Sequence, residues 1–233
     1  MQFIFMSKNF YFILVLIAIG FTSCVNNAYT PPPPSTETSY LPQTLGSTWR
    51  YRDSIYGEQT DTVPIIGVKV DTVTYTINGN TTDFNSKICY NAAEFSRVYG
   101  TTTAYTYVNK HHFGFSETIP PFGFTNFEYL VDTAAAGYIW DTGPTNNGLL
   151  HGNPIKSVNK ILETNITKVV GKRTFTNVVH SSSDFMINTN GFNFQNIAHY
   201  EFYVAKGVGL IEKDTYVYGS LNGVETILDY SIK

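Results

Sequence analysis

Three of the chain's four Asn-Gly dipeptides, at Asn78-Gly79, Asn190-Gly191 and Asn222-Gly223, interrupt segments in which apolar residues alternate with polar ones. Asn-Gly is the favoured pair for a two-residue type I′ hairpin, because both central residues take positive φ. Alternation is the period of a strand with one buried face. Turn chemistry and period therefore agree on antiparallel β-structure. In "DFMINTNGFNFQN" a turn at Asn190-Gly191 sets Ile187 opposite Phe194 and Phe185 opposite Asn196. In "DTYVYGSLNGVETILDYSIK" a turn at Asn222-Gly223 sets Val217 opposite Leu228 and Tyr218 opposite Ile227, and puts Leu228, Tyr230 and Ile232 on one core-facing side. "YTINGNTT" predicts a weaker hairpin at Asn78-Gly79, and a turn at Asn109-Lys110 splits the alternating run "AYTYVNKHHFGF". Helical spacing is confined to short pieces around "YNAAEFSRV" and "TNFEYL". The expected fold is all-β and mainly antiparallel: a large curved sheet, a half-barrel or an open barrel or sandwich, with few short helices. A gap in hairpin signals between Pro120 and Pro154 predicts an irregular excursion between two halves of the sheet.

The composition supports strands and excludes one class of partner. Charged residues are 14% of the chain and aromatics 15%, against about a quarter charged in an ordinary domain. Lys8 is the one basic residue among the first 23, so the remainder has 14 basic against 18 acidic residues, a net charge of −4. Nucleic-acid binding rests on clustered Lys and Arg, and no such patch is present; no nucleic-acid partner is expected.

The first 39 residues read as an address. Lys8 precedes the apolar run "FYFILVLIAIGF" and small polar Thr22-Ser23, the layout of a secretory signal. The run is about 12 residues, whereas a membrane-spanning helix needs roughly 20. Cys24 at the cleavage point resembles the lipobox of bacterial lipoproteins, and the Ser-Cys ending resembles the signals of Bacteroidota lipoproteins, although Phe21 stands where leucine is usual. That resemblance implies a signal peptide at 1–23, lipidation of Cys24, and a membrane partner reached through that lipid. It implies a cell-envelope location, at the outer membrane on its periplasmic or surface side. Pro31 to Pro34 favour polyproline II, so 24–39 reads as the acylated cysteine followed by a disordered tether. Residues 40–233 then form a single antiparallel β domain. With Cys24 acylated, Cys89 is the remaining cysteine and is expected as a buried thiol outside any intramolecular disulfide.

Four segments, "YLPQTLGSTWRYRDS" at 40–54, "AAAGYIWDTGP" at 134–144, "ITKVVGKRTFTNVVH" at 166–180 and "YEFYVAKGVGLIEKD" at 200–214, resemble in that order the motifs of the DUF3108-like or TapB-like secreted lipoproteins of unknown function. The resemblance implies a curved antiparallel sheet and no catalytic residues. Independently of it, Leu41 and Trp49 read as core residues bracketing a turn at Gly46, and Gly171 as the turn before Phe175 re-enters the core.

Signals for chemistry are weak. "HSSSD" at 180–184 lacks the strained turn that exposes a hydrolase serine. "KGVGLIE" lacks the βαβ setting of a phosphate loop. His111 and His112 point to opposite faces of a strand, whereas His199 and Glu201 share one. Asp132 and Asp141 are the loop carboxylates that could pair for glycoside cleavage. No catalytic residue, metal site or cofactor is expected. The aromatic run Phe113–Leu130 is the candidate binding surface, with Phe113, Phe115, Phe122, Phe124 and Phe127 able to stack on sugar rings or line an apolar groove, or else to plug the sheet's core. Three functions stay open. The chain reads as a non-enzymatic envelope protein that binds an apolar or glycan ligand or an envelope protein partner, as a structural or assembly component of an envelope complex, or, with least support, as a hydrolase.

Overall fold

Alternation turns into strands over most of the chain: β1 (Thr48–Tyr56), β2 (Gln59–Thr60), β3 (Val63–Pro64), β4 (Val68–Phe84), β5 (Lys87–Ser96), β6 (Gly100–Asn109), β7 (His112–Ile119), β8 (Gly123–Val131), β9 (Ile139–Thr142), β10 (Leu149–Leu150), β11 (Asn153–Val170), β12 (Arg173–Ile187), β13 (Gln195–Ala205), β14 (Gly209–Val217) and β15 (Ser220–Ser231). This computed structural model describes residues 39–56, 59–60, 63–64, 68–84, 87–97, 100–119 and 123–233. The expected signal peptide, Cys24, the proline tract and Phe122 lie outside the described residues.

Thirteen strands make one antiparallel sheet in the order β10-β11-β12-β13-β14-β15-β1-β4-β5-β6-β7-β8, with β9 added on β11; β2 and β3 form a separate small hairpin. Two meanders, β4 to β8 and β11 to β15, are thus joined through β1 in the middle. The excursion predicted between the halves is present but shorter, from Val131 to Asn153, because β8 occupies its first part.

The sheet curls until its ends meet. Lys213 on β14 reaches Glu117 on β7 at 3.6 Å, although five strands separate them along the sheet. At the closing edge the Ser181 hydroxyl of β12 donates to the Tyr129 carbonyl of β8. The Asn126 amide of β8 donates to the Pro144 carbonyl at 2.8 Å. Side chains and a loop, rather than a strand ladder, cover this edge and satisfy part of its backbone, as edge strands require.

The all-β expectation holds, and the two helical candidates are corrected. "YNAAEFSRV" lies largely in β5 and "TNFEYL" in β8. β8 is buried on both faces from Phe127 onward, so its sequence loses the alternation that marks a half-exposed strand.

Of the three predicted hairpins one survives, with a wider turn. Asn190-Gly191 lies in the β12–β13 loop, where the Asn190 side chain accepts from the Phe192 and Asn193 amides at 3.0 and 3.2 Å. This moves the pairing to Ile187 with Gln195 and, past a bulge, Phe185 with Ala198. Asn222-Gly223 is inside β15 instead, and the reversal falls at Tyr218-Gly219, with φ of 48° and 79°. A tyrosine at positive φ costs roughly 1 kcal/mol, but this register sets Lys213 opposite Glu225, whereas the predicted one sets it opposite Ile232. Leu228 is also a correction: it sits at a bulge against β1 and is 40% exposed, while Ile227 takes the core position. Asn78-Gly79 is a bulge within β4, not a turn. The β6–β7 split occurs at Lys110-His111, one residue later than expected.

Two aromatic-rich clusters fill the interior. One joins β7 and β8 to β11–β13 through residues such as Phe127, Tyr129, Phe185 and Phe202. The other gathers Trp49, Tyr51, Ile77, Ala92, Ala104, Ile211 and Ile227. Leu41, Trp49 and Phe175 are buried as expected, and so is Cys89. Gly46 turns at φ 80°.

Candidate functional site

Where the two clusters meet, the interior is incompletely filled. Ala92 of β5 stands directly opposite Ala104 of β6, and two methyl groups cannot fill a space that the surrounding positions fill with rings. The result is a half-enclosed cavity of about 60 Å³, room for about five water-sized spheres or one small ring. Trp49, Tyr51, Tyr75, Phe115 and Tyr129 supply its aromatic wall, and Leu41, Ile77, Ala92, Ala104 and Leu210 its aliphatic one. Trp49 is held in place by donating to the Val208 carbonyl at 2.6 Å, and Tyr51 by donating to the Leu210 carbonyl at 2.8 Å.

Lys213 and Glu225 line the cavity and open onto a row of charge. Strand register places Lys213, Glu225, Asp53 and Asp71 side by side across β14, β15, β1 and β4. Lys213 binds Glu225 at 3.4 Å and Glu117 at 3.6 Å, with 13% of the lysine side chain exposed, 8% of Glu225 and 13% of Glu117. Tyr75 donates its hydroxyl to Glu117. Asp71 is occupied separately by the Ser96 hydroxyl at 2.5 Å and the Thr72 and Arg97 amides at 2.6 and 3.2 Å.

One lysine thus faces several carboxylates. Burial alone would lower its pKa, but Glu225, Glu117 and Asp53 outweigh burial and hold Lys213 above the usual lysine range. Burial, and then the Glu225 charge, push Asp53 up to about 6. Burial, and then Glu117 and Glu225, push Glu94 up to about 7. Glu117 is raised by burial as well.

These shifts set an unusual pH dependence. Both carboxyls hold their protons more tightly folded than unfolded, so their contribution is fully present below about pH 4, is lost as pH rises through about 6 and 7, and is absent above. A shift of one unit is about 1.4 kcal/mol; discounted for partial solvent contact and mutual coupling, the pair should change stability by roughly 2 kcal/mol. Urea melts at pH 5 and pH 8 should show the lower stability at pH 8, and the Asp53→Asn/Glu94→Gln double variant should flatten that difference. An unchanged slope in the double variant would mean that other groups carry it.

The residues singled out from sequence are dispersed. Phe113 and Phe127 are in the core. Phe115 stacks on Phe127 with centroids 4.8 Å apart and lines the cavity. Phe124 is half-buried, edge-on to Tyr105 at 5.7 Å, and Phe122 is outside the described residues. His111 pairs with Asp132 and His112 with Glu128; Glu128 also accepts from Tyr107 and Trp140, a buried carboxylate with three donors. Asp141 pairs with Lys156, so Asp132 and Asp141 have different partners. In "HSSSD" Ser181 bonds to the Tyr129 carbonyl and Ser183 to Ser157, while His180 bonds Glu163 and Glu201, and Asp184 bonds His199. His199 and Glu201 do share a face, at 3.4 Å. Among the described residues, no group of three or more His, Cys, Asp or Glu is arranged to hold a metal ion.

Alternation held the missed signal. In "TWRYRDS", "LIEKD" and "VETI", Asp53, Lys213 and Glu225 fall on the same faces as Tyr51, Ile211 and Ile227. Charges at core positions of three strands mark the site.

No family model matches the chain, so the resemblance to DUF3108-like proteins rests on the four motifs alone. No curated protein matches it. Among solved structures, the chain is similar to a candidate exported protein with a YmcC-like fold from Bacteroides fragilis, at 10% identity over 82% of this chain and 98% of that one, TM-score 0.48. It is also similar to a candidate lipoprotein from Parabacteroides distasonis, at 13% identity over 84% and 99%, TM-score 0.46. What this chain does is read from its own residues.

Proposed function

We propose that this chain is a lipid-anchored protein of the cell envelope whose β domain binds a small apolar ligand, or the apolar end of a larger one, in the interior cavity without catalysing a reaction on it. One observation carries the reading: the facing pair Ala92 and Ala104 leaves an aromatic-walled space inside the sheet. Unfilled apolar space costs stability, and a ligand that occupies it recovers that cost. Binding is favoured over hydrolysis because Glu225, the carboxylate among the described residues that line the space, is engaged by Lys213.

The test is native mass spectrometry of the full chain released from membranes, comparing wild type with Ala104→Phe. Bound mass that leaves on denaturation should be present in the first and absent in the second. A wild-type chain that carries nothing, and takes up nothing from an envelope lipid extract, would overturn the binding reading. Anchoring has its own check: Cys24→Ser should move the protein from the membrane to the soluble fraction, because several acyl chains on one residue hold far better than one. Continued attachment of Cys24→Ser would count against lipidation.

A second reading, an assembly component, draws on Phe192 and Tyr218, 87% and 78% exposed. They lie on the β12–β13 and β14–β15 connections, which share one end of the sheet. Two exposed rings make a small patch, so this reading ranks second.

A further inference from the structure

We propose that the cavity selects a ligand with a positively charged nitrogen beside its apolar part, the ammonium lying at the Lys213–Glu225 end among the carboxylates and aromatic rings. This rests on the reading of the cavity as a ligand site and adds the chemistry of what enters it.

Two observations converge. The first is the sign of the charge. Glu225 and Asp53 stand directly opposite one another, as do Asp53 and Asp71, and like charges in facing cross-strand positions repel. Glu117 joins them from the far side of the interior, and Glu94 on β5 interacts with Glu117 and Glu225. Lys213 is the one cation among the described residues lining the cavity, and two carboxylates already hold it. An anionic ligand would have to compete with both, and would enter a field already negative. A cation would reduce the repulsion.

The second observation is the wall itself. Trp49, Tyr51, Tyr75, Phe115 and Tyr129 line one small space, and aromatic faces attract cations through their quadrupoles, most strongly where water is excluded. The protein already uses one of these faces in this way: Lys213 Nζ lies 5.4 Å from the centroid of the Phe115 ring. An apolar group alone would need the aliphatic wall but not the charged row. An aromatic wall beside a row in which one ammonium is met by Glu225, Glu117 and Asp53 matches an alkyl- or arylammonium group.

The experiment is isothermal titration of the full chain in phospholipid nanodiscs, with empty nanodiscs as blank, using four probes of one shape: benzylamine, benzyl alcohol, toluene and benzoate. Benzylamine should bind at least tenfold more tightly than benzyl alcohol or toluene, and benzoate should bind most weakly. Glu225→Gln should narrow the benzylamine advantage over benzyl alcohol and toluene; should that variant fold poorly, Glu117→Gln, which removes the other carboxylate on Lys213, gives the same comparison. Equal binding of benzylamine, benzyl alcohol and toluene, or a preference for benzoate, overturns the charged-ligand proposal and leaves the apolar cavity reading standing. Absence of binding by all four overturns both.

Discussion

Lys213→Met should lower folding stability by about 3–5 kcal/mol at pH 7.5, the range for removing one partner of a buried ion pair. Methionine matches the length of the lysine stem and keeps its apolar contacts, so the loss reports on charge. Without the ammonium, Glu117 and Glu225 lose their shared cation, and Asp53 and Glu94 lose the attraction that partly offsets their burial. Part of the loss should return at pH 5, where more of these carboxyls are protonated, and part should return in the Lys213→Met/Glu225→Gln double variant. Urea denaturation at the two pH values checks all of this. A loss under about 1 kcal/mol at pH 7.5 would show that the pair behaves as an exposed surface bridge does, and the charge row would lose its standing as a buried feature.

Phe127→Ala should be comparably severe, about 3–5 kcal/mol, and for a different reason. Phe127 is 1% exposed and stacks on Phe115 at 4.8 Å and Phe185 at 5.1 Å, with Tyr200 edge-on at 4.9 Å. Its removal leaves a hole at the junction of β7, β8 and the β12–β13 pair. The neighbours have little freedom to collapse into it: Gly114 has no room for even a Cβ between the Tyr107 ring and the Phe127 carbonyl. Phe124→Ala, at a half-buried position, should cost distinctly less. Thermal melts of both variants separate a core role from a ligand-contact role. A Phe127→Ala protein as stable as wild type, with altered ligand binding, would return this residue to the binding surface.

The class of fold could be read from the chain because alternation and turn chemistry are local. Asn190-Gly191 works as a local signal, since its own side chain organises the loop. Asn222-Gly223 misleads because the competing register is decided across strands, by Glu225 meeting Lys213 and Ile227 reaching the core. Position 218 accepts a strained tyrosine in consequence. The site was harder to see for a related reason. Its space comes from two alanines in different strands, one of them in a segment whose small residues mimic a helix, and its charges come from strands that adjoin only once the sheet is assembled. Phe115 was within reach of sequence because it sits in a dense aromatic run. Lys213 was not, because a lone lysine in an alternating strand is ordinarily exposed.

The central place of β1 carries a consequence for how the molecule matures. Among the described residues it is the first long strand, yet one of its two neighbours is β15, the last of them. Pairings between segments so far apart form late and slowly. A chain that emerges in order, N-terminus first, can build the β4–β8 meander on β1 early, but one side of β1 stays open until β15 arrives. During that interval the open flank is an unpaired edge that can accept a foreign strand. Delivery of β15 is then the event that closes the second flank of β1.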